Sequence, residues 1–404
     1  MIVFSHNFNI LSIKLDIVET KNIGLRNIEV ADTKISSIDG LNGKLIYRGY
    51  DILDLVKKST FEETACMLLN EDLPTKDVLS DFSDRLLASR EIHEGIEAGL
   101  RNFPKNANPM DVLQSSVAQL ATYENEKSED RNANYHRAIS LISKIPIIVA
   151  YWDRIRKGKE LVRPSKKLCH AENFLYMLTG SEPDKEFSRI FDICLILHAE
   201  HSFNASTFAA REVSSTRAHM YAAVSAAIGA LSGELHGGAN FKVMQMLLEI
   251  KNEDKVESWI KERLSQGKKI MGMGHAVYKT FDPRAEVLRE LSKRLSEKTG
   301  QPWYNITKKI EDVTAEEMKK IKGSDIFPNV DLYSASTYYM LGIQPDLNTP
   351  IFAISRVAGW TAHIIEEKFA EAAPKPMLYR PKAVYVGKYC GPSGCEYIPL
   401  EKRQ

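Results

Sequence analysis

The 404-residue sequence lacks an excess of charge of either sign. Its 54 Lys and Arg residues nearly balance its 53 Asp and Glu residues, and the formal net charge is +1. Proteins that bind nucleic acid or an acidic membrane surface through their overall field need a basic excess. We therefore expect neither partner, and an anionic ligand would have to be bound by a few local Arg and Lys side chains.

Long apolar runs and a cysteine framework are also missing. The longest apolar stretch, residues 142–152, is interrupted by Ser143, Lys144 and Pro146 and is too short to span a bilayer. The N-terminal residues show neither the cationic start nor the cleavage site of a secretory signal. Five scattered cysteines do not resemble an extracellular disulfide framework. These features predict a cytoplasmic protein.

Only two cysteines lie close together, Cys390 and Cys395 in Cys-Gly-Pro-Ser-Gly-Cys. They could form a redox pair or a metal pair, or they could be two unrelated thiols in the tail. We favour unrelated thiols, because no second pair of metal ligands follows.

Most of the chain shows the spacing of helices. The exception is residues 35–50, where Asp39-Gly40 and Asn42-Gly43 are turn signals between short β-favouring runs and predict a hairpin. For the first dozen residues, which lack periodicity, we expect an extended or disordered start. After Asp51, apolar residues recur three and four apart, and no βαβ alternation is present. Helix starts are predicted at Ser59-Thr60, Pro74-Thr75 and Asp282-Pro283. The fold class predicted is mainly all-α, with a small N-terminal β hairpin.

One segment, residues 271–284, combines several chemical groups. Gly272 and Gly274 allow a ligand to approach the backbone, and His275 can exchange a proton near neutral pH. Lys279 and Arg284 suit a phosphate and a carboxylate respectively. This segment is therefore a candidate site, although taken alone it could equally be a surface loop.

Four further places contain candidate residues. His236 stands among glycines, where it could be held neutral and donate to a carbonyl, unless the glycines simply end a helix. Asp331 stands at a helix start and, taken alone, is best interpreted as a cap. His198 and His201 share a helix face, but metal binding is disfavoured because no third ligand is evident. Arg356 lies in an apolar helix and needs an anionic partner.

Three of these motifs occur in an order that resembles citrate synthases. They are Leu235-His-Gly-Gly-Ala-Asn240, Gly274-His-Ala-Val277 with Asp282-Pro-Arg284, and Asn329-Val-Asp331. The resemblance extends over nearly the whole chain, from Ile46 to Gly387. It implies an acyltransferase that condenses oxaloacetate with acetyl-CoA and hydrolyses citryl-CoA to citrate and CoA. It also implies that neither a metal nor a cofactor is needed, since acetyl-CoA is a substrate.

The resemblance assigns a role to each candidate residue. Asp331 is similar to the base that removes a proton from the acetyl methyl group, and His236 to the histidine that hydrogen-bonds the thioester oxygen. His275 is similar to the histidine that polarises the oxaloacetate carbonyl and protonates the new alkoxide. The dicarboxylate-binding positions match His201, Arg284, Arg356 and Arg380. The CoA-binding positions are Gly272 and Gly274, with Lys279 as a phosphate contact.

The same resemblance predicts the assembly and the domains. It implies a homodimer in which Arg380 reaches the site of the partner subunit. Residues 1–237 and 343–404 would form a large helical domain, and residues 238–342 a small domain that closes on it and excludes water.

A few positions depart from the family pattern. Glu200 and Ser202, beside His201, stand where the family commonly has Asp and an acidic residue, and Glu234 and Met273 are also unusual. These departures leave the acyl substrate open, since 2-methylcitrate synthases use propionyl-CoA and one methylene is worth only about 1–3 kcal/mol in an apolar pocket. The alternatives are therefore a 2-methylcitrate synthase or an enzyme that accepts both substrates. A non-catalytic, ligand-sensing paralogue is disfavoured because no catalytic residue is lost.

Overall fold

A three-stranded antiparallel sheet precedes the helices. Asp39 pairs with Lys44 across the first turn, and its Oδ1 accepts hydrogen bonds from the backbone N–H groups of Leu41 (3.1 Å) and Asn42 (3.0 Å). The strands, in the order β1-β2-β3, are Ser36–Asp39 (β1), Lys44–Tyr47 (β2) and Tyr50–Asp51 (β3). The hairpin predicted from the two glycine turn signals is confirmed.

The computed structural model describes residues 24, 25 and 28–403, and within them sixteen α-helices follow the sheet. Their bounds are Ile52–Lys58 (α1), Phe61–Asn70 (α2), Lys76–Ala88 (α3), Glu94–Asn102 (α4), Pro109–Leu120 (α5), Arg131–Arg156 (α6), His170–Thr179 (α7), Lys185–His198 (α8), Ala205–Ser215 (α9), Met220–Ser232 (α10), Gly238–Ile250 (α11), Val256–Ser265 (α12), Pro283–Thr299 (α13), Trp303–Lys322 (α14), Val330–Met340 (α15) and Asn348–Phe369 (α16). Short 3-10 helices span Ala121–Tyr123, Glu253–Lys255, Pro345–Leu347 and Leu400–Lys402. The mainly all-α class is confirmed. The start expected for the first dozen residues lies outside the described residues.

Several helices begin at the predicted caps. The side chains of Thr60 and Thr75 accept from backbone N–H groups three residues later, and Asp282 accepts from Arg284 ahead of α13. The interpretation of Asp331 as a cap is wrong. Asn329 caps α15, and its Oδ1 accepts from the Asp331 N–H at 2.9 Å. The carboxylate of Asp331 is therefore not used in capping the helix.

Helix α16 is buried along nearly its whole length and packs against α6, α9, α10 and α8. Helices α11 to α15 pack mainly on one another, most extensively α13 on α15 and α11 on α15. Residues Thr33–Gln404 form one compact unit. The division at residues 237/238 and 342/343 stays a prediction. None of the described helices combines the length and the apolar character needed to cross a membrane.

The tail after α16 corrects one interpretation. Cys390 and Cys395 are joined by a disulfide, with their Cα atoms 4.8 Å apart. Gly391 and Gly394 adopt φ of 96° and 78°, which lets the short segment turn back on itself. The two residues are therefore not unrelated thiols.

Candidate active site

A glycine-rich loop is bound directly to the segment that precedes α15. Gly272 and Gly274 have φ of 82° and 84°, in the left-handed region that other residues rarely adopt. The Gly272 carbonyl accepts from the Asn329 N–H at 2.9 Å, and the Gly274 carbonyl accepts from the Asn329 side chain at 2.9 Å. These bonds bring His275, which follows the loop, and Asp331, which follows Asn329, into one site.

The hydrogen bonds of His275 define its neutral tautomer. Its Nδ1 accepts from the backbone N–H groups of Val277 (3.0 Å) and Tyr278 (3.1 Å). Because an accepting nitrogen carries no proton, the proton of the neutral ring lies on Nε2. Burial, and then the positive charge of Arg284, lower the pKa of His275 to about 4. At neutral pH the ring is an uncharged donor through Nε2.

His236 lies between α10 and α11, and its ring is fixed by Ser206. Its Nε2 accepts from the Ser206 N–H at 3.3 Å and lies 2.9 Å from the Ser206 Oγ. That hydroxyl also contacts Asn204 and Trp360. Burial, and then Arg356, lower the pKa of His236 to about 4. The ring is therefore neutral with its proton on Nδ1, and can donate from that atom.

Asp331 has the properties of a base. It lies in the first turn of α15, and burial raises its pKa from 3.8 to about 6, although the Asn240 side chain donates to Oδ1 at 3.4 Å. At neutral pH the carboxylate is mostly ionised. It also has a higher proton affinity than a free aspartate, as general base catalysis requires.

Two buried arginines differ in their pairing. Arg284 forms an ion pair with Asp282 through two bonds of 2.8 and 2.9 Å, which helps to raise its pKa. Arg356, 1% exposed, donates Nε–H to the His198 carbonyl at 2.6 Å. Among the described residues no carboxylate lies within 4.0 Å of its guanidinium, and burial lowers its pKa to about 10. A buried cation without an acidic partner is costly unless an anionic ligand binds it.

His201 is a further polar residue of the site. Its Nε2 lies 3.3 Å from the Tyr278 hydroxyl, and its ring centroid is 5.7 Å from that of His275. Burial, and then Arg284, lower the pKa of His201 well below its usual value. The ring of His198, by contrast, packs against Phe352, and its Nδ1 lies 2.7 Å from the Cys194 carbonyl oxygen. Among the described residues, no three His, Cys, Asp or Glu side chains are grouped to hold a metal.

His275 lines two neighbouring cavities. The first, of about 550 Å³, is lined by six of the predicted site residues: His201, His236, His275, Arg284, Asp331 and Arg356. The second, of about 640 Å³, is lined by Gly272, Gly274 and His275, together with Lys268, Lys269 and Lys322. Sequence reasoning missed these three lysines. The pair Lys268-Lys269, just before the glycine motif, is a signal that could have found two of them.

Two predicted residues do not join this group in the single chain. The side chain of Lys279 is exposed and lines neither cavity. Arg380 is exposed in the segment after α16 and also lines neither cavity. Their assigned roles stay predictions.

Comparison with known proteins gives one consistent family. The family model for the citrate synthase C-terminal domain matches residues 24–382. The citrate synthase of Haloferax volcanii is 41% identical over 387 residues, covering 94% of this chain and 98% of the relative. The 2-methylcitrate synthase of Mycobacterium tuberculosis is 39% identical over 365 residues, covering 90% of each chain. A solved ternary complex of the citrate synthase of Thermoplasma acidophilum with carboxymethyl coenzyme A and oxaloacetate has a TM-score of 0.85 at 32% identity, covering 93% of this chain and 98% of that one.

Proposed function

Because the chain belongs to the citrate synthase family of condensing acyltransferases, we propose that it condenses oxaloacetate with acetyl-CoA and hydrolyses the citryl-CoA to citrate and CoA. The observation that carries this proposal is the buried guanidinium of Arg356, which has no carboxylate partner among the described residues and lines a cavity with Asp331 and neutral histidines. An anionic substrate would supply the missing charge, and the base and donors suit enolate chemistry.

The proposed condensation forms a carbon–carbon bond at a methyl group. Asp331 accepts a proton from the acetyl methyl, and the Nδ1–H of His236 stabilises the negative charge that develops on the thioester oxygen. The enolate carbon attacks the keto carbon of oxaloacetate, whose carbonyl oxygen the Nε2–H of His275 polarises. That oxygen takes the Nε2 proton of His275, and the proton held by Asp331 returns to the ring through water. A water molecule then adds its oxygen to the thioester carbon, and CoA leaves as a thiol with one proton of that water. The raised pKa of the carboxylate favours proton transfer from the methyl group, and a neutral imidazole donor favours proton transfer to the alkoxide oxygen.

The two cavities suit the two substrates. In the first cavity His201, Arg284 and Arg356 would bind the two carboxylates of oxaloacetate. In the second, the backbone at Gly272 and Gly274 would follow the CoA, with its phosphates near Lys268, Lys269 and Lys322, or near Lys279 at the surface. The Thermoplasma complex contains a CoA analogue together with oxaloacetate, which supports a site for both at once.

A homodimer is part of the proposal. Several large apolar side chains of the tail are exposed in the single chain, among them Val384, Tyr385, Val386 and Tyr389. A second copy that covers them would also have Arg380 close to its site, as the family resemblance implies.

A second candidate function is 2-methylcitrate synthesis from propionyl-CoA. It is favoured by the 2-methylcitrate synthase of M. tuberculosis, which is 39% identical to this chain. The two substrates differ by one methylene, worth about 1–3 kcal/mol in an apolar pocket. The same residues could therefore serve either acyl group.

The test is thiol release with oxaloacetate and either acetyl-CoA or propionyl-CoA, compared by kcat/KM. A preference for acetyl-CoA supports the proposal, and a preference for propionyl-CoA supports the second candidate. Asp331→Asn is the control, since it keeps the shape of the base and removes its charge; we expect kcat to fall by orders of magnitude. No thiol release from the wild type with either substrate would contradict both functions and favour a binding protein.

A further inference from the structure

The turn of the β1–β2 hairpin, residues 40–43, lies directly against the backbone of the loop that follows His275. The Gly40 carbonyl accepts from the Lys279 N–H at 2.8 Å. A Cβ atom built on Gly40 would lie 2.5 Å from the Val277 carbonyl oxygen, and one on Gly43 would lie 2.6 Å from the Phe281 carbonyl oxygen. Real Cβ atoms do not approach backbone atoms so closely. The two elements can therefore meet only because positions 40 and 43 are glycine.

The contacted loop, residues 275–281, is the one that fixes the His275 imidazole. Val277, whose carbonyl faces Gly40, donates its own N–H to His275 Nδ1, and so does Tyr278. The Tyr278 hydroxyl lies 3.3 Å from His201 Nε2. Ile38, on β1 just before the turn, lines the same cavity as both histidines. The hairpin therefore contacts Val277, one of the two residues whose N–H groups set the ring orientation and the tautomer of His275.

We infer that the hairpin turn is a positioning element for His275. It holds the 275–281 loop so that the Val277 and Tyr278 N–H groups stay on Nδ1 and the Nε2–H is presented for catalysis. The turn is itself rigid, since the Asp39 carboxylate accepts from Leu41 and Asn42. The catalytic consequence rests on the proposed function, whereas the positioning of the loop does not.

The contact also crosses the domain boundary predicted from sequence. The turn belongs to the predicted large domain, and the 275–281 loop to the predicted small domain. A bond between them exists only when the two parts have the arrangement seen here. The hairpin would thus couple that arrangement to the orientation of His275, so that the ring is fully positioned only with the parts together.

Gly40→Ala is the main test, because Gly40 does not have a positive φ and the new methyl group perturbs chiefly the contact with Val277. Amide hydrogen exchange of the ligand-free protein should speed up at least about tenfold in residues 276–281. The kcat for thiol release should fall at least about tenfold, since displacements near 1 Å cost roughly 100-fold in comparable sites. Thermal melting checks that the variant is folded.

Gly43→Ala and Gly49→Ala form a matched pair. Both glycines lie in turns of the same sheet with positive φ (63° and 94°), so both variants suffer backbone strain, but a Cβ at Gly49 meets nothing within 4 Å. Only Gly43→Ala should show the fast exchange in residues 276–281 and the loss of kcat.

Each outcome decides the inference. It is overturned if Gly40→Ala and Gly43→Ala leave both the exchange of residues 276–281 and kcat within about twofold of the wild type. It is also overturned if Gly49→Ala matches Gly43→Ala, because general strain in the sheet would then explain the effect. If Gly40→Ala does not fold, the matched pair decides alone. If the wild type releases no thiol, the proposed function fails, and the exchange experiment still decides whether the hairpin positions the loop.

Discussion

The pH dependence of the reaction should be set by Asp331. Its pKa is raised from 3.8 to about 6 by burial, which corresponds to about 3 kcal/mol of disfavoured charging. A base must be ionised to work, so the rate should fall as the pH drops through about 6. The ionised fraction is about nine-tenths at pH 7 and about one-tenth at pH 5, which predicts a nearly tenfold loss of kcat/KM. With an ordinary carboxylate pKa the loss over this range would be below about 10%.

The histidines should not contribute to this acid limb. Burial lowers the pKa of His236 and of His275 to about 4, so both rings are mostly neutral from pH 8 down to pH 5. The assay is thiol release at low concentrations of both substrates between pH 5 and pH 8, since kcat/KM then reports the free enzyme. Slope and midpoint should fit one group with a pKa near 6.

Asp331→Asn identifies the group. Its residual rate should show no acid limb near pH 6, because the titrating carboxyl is gone. A wild-type profile that stays flat down to pH 5 would refute the assignment of a raised pKa to the base. A limb near pH 6 that persists in Asp331→Asn would show that another group titrates there.

Three further predictions concern binding, backbone and tail. Arg356→Met should raise the KM for oxaloacetate at least about 100-fold without lowering the free energy of unfolding measured in urea, because it removes a buried charge that has no carboxylate partner in the described part of the chain. A large loss of stability with normal KM would contradict this reasoning. Gly272→Ala should lower the free energy of unfolding by at least about 2 kcal/mol, since its Cβ would lie 2.9 Å from the Leu332 Cα. The control is Gly267→Ala, where φ is also positive (68°) but a Cβ would meet nothing within 4 Å, and it should cost only about 1 kcal/mol. Alkylation of the unfolded, unreduced chain should label three cysteines, and five after reduction, as read by mass spectrometry; five without reduction would exclude the tail disulfide.

Local signals predicted the helices and the caps well, because the features that start a helix lie within a few residues of one another. Thr60, Thr75 and Asp282 cap as expected. Asp331 shows the limit of such signals, since an acid near a helix start can be the cap or can lie within the first turn. Asn329, two residues earlier, takes the capping role and leaves the Asp331 carboxylate to the cavity.

The three lysines of the second cavity were not predicted from the sequence for a different reason. Lys322 comes from the end of α14, about fifty residues after Lys268 and Lys269, and no periodicity links the three. Lys279 is nearer in sequence to the glycine motif, yet the chain turns away after His275 and leaves its side chain in solvent. Spacing along the chain therefore identified the glycine motif and His275. The grouping of the three lysines depends instead on how α14 packs beside the loop.

The hairpin illustrates the same point for the core of the site. From sequence, Gly40 and Gly43 are turn residues, and that interpretation is correct but incomplete. A turn needs glycine where φ is positive, which holds for Gly43, whereas Gly40 has no such requirement. The absence of a side chain at position 40 instead allows the backbone of Val277, more than 230 residues later in the chain, to approach the turn. Because a short-range requirement already explains a glycine in such a turn, the sequence by itself conceals the long-range one, and only the folded contact between the turn and the His275 loop separates the two.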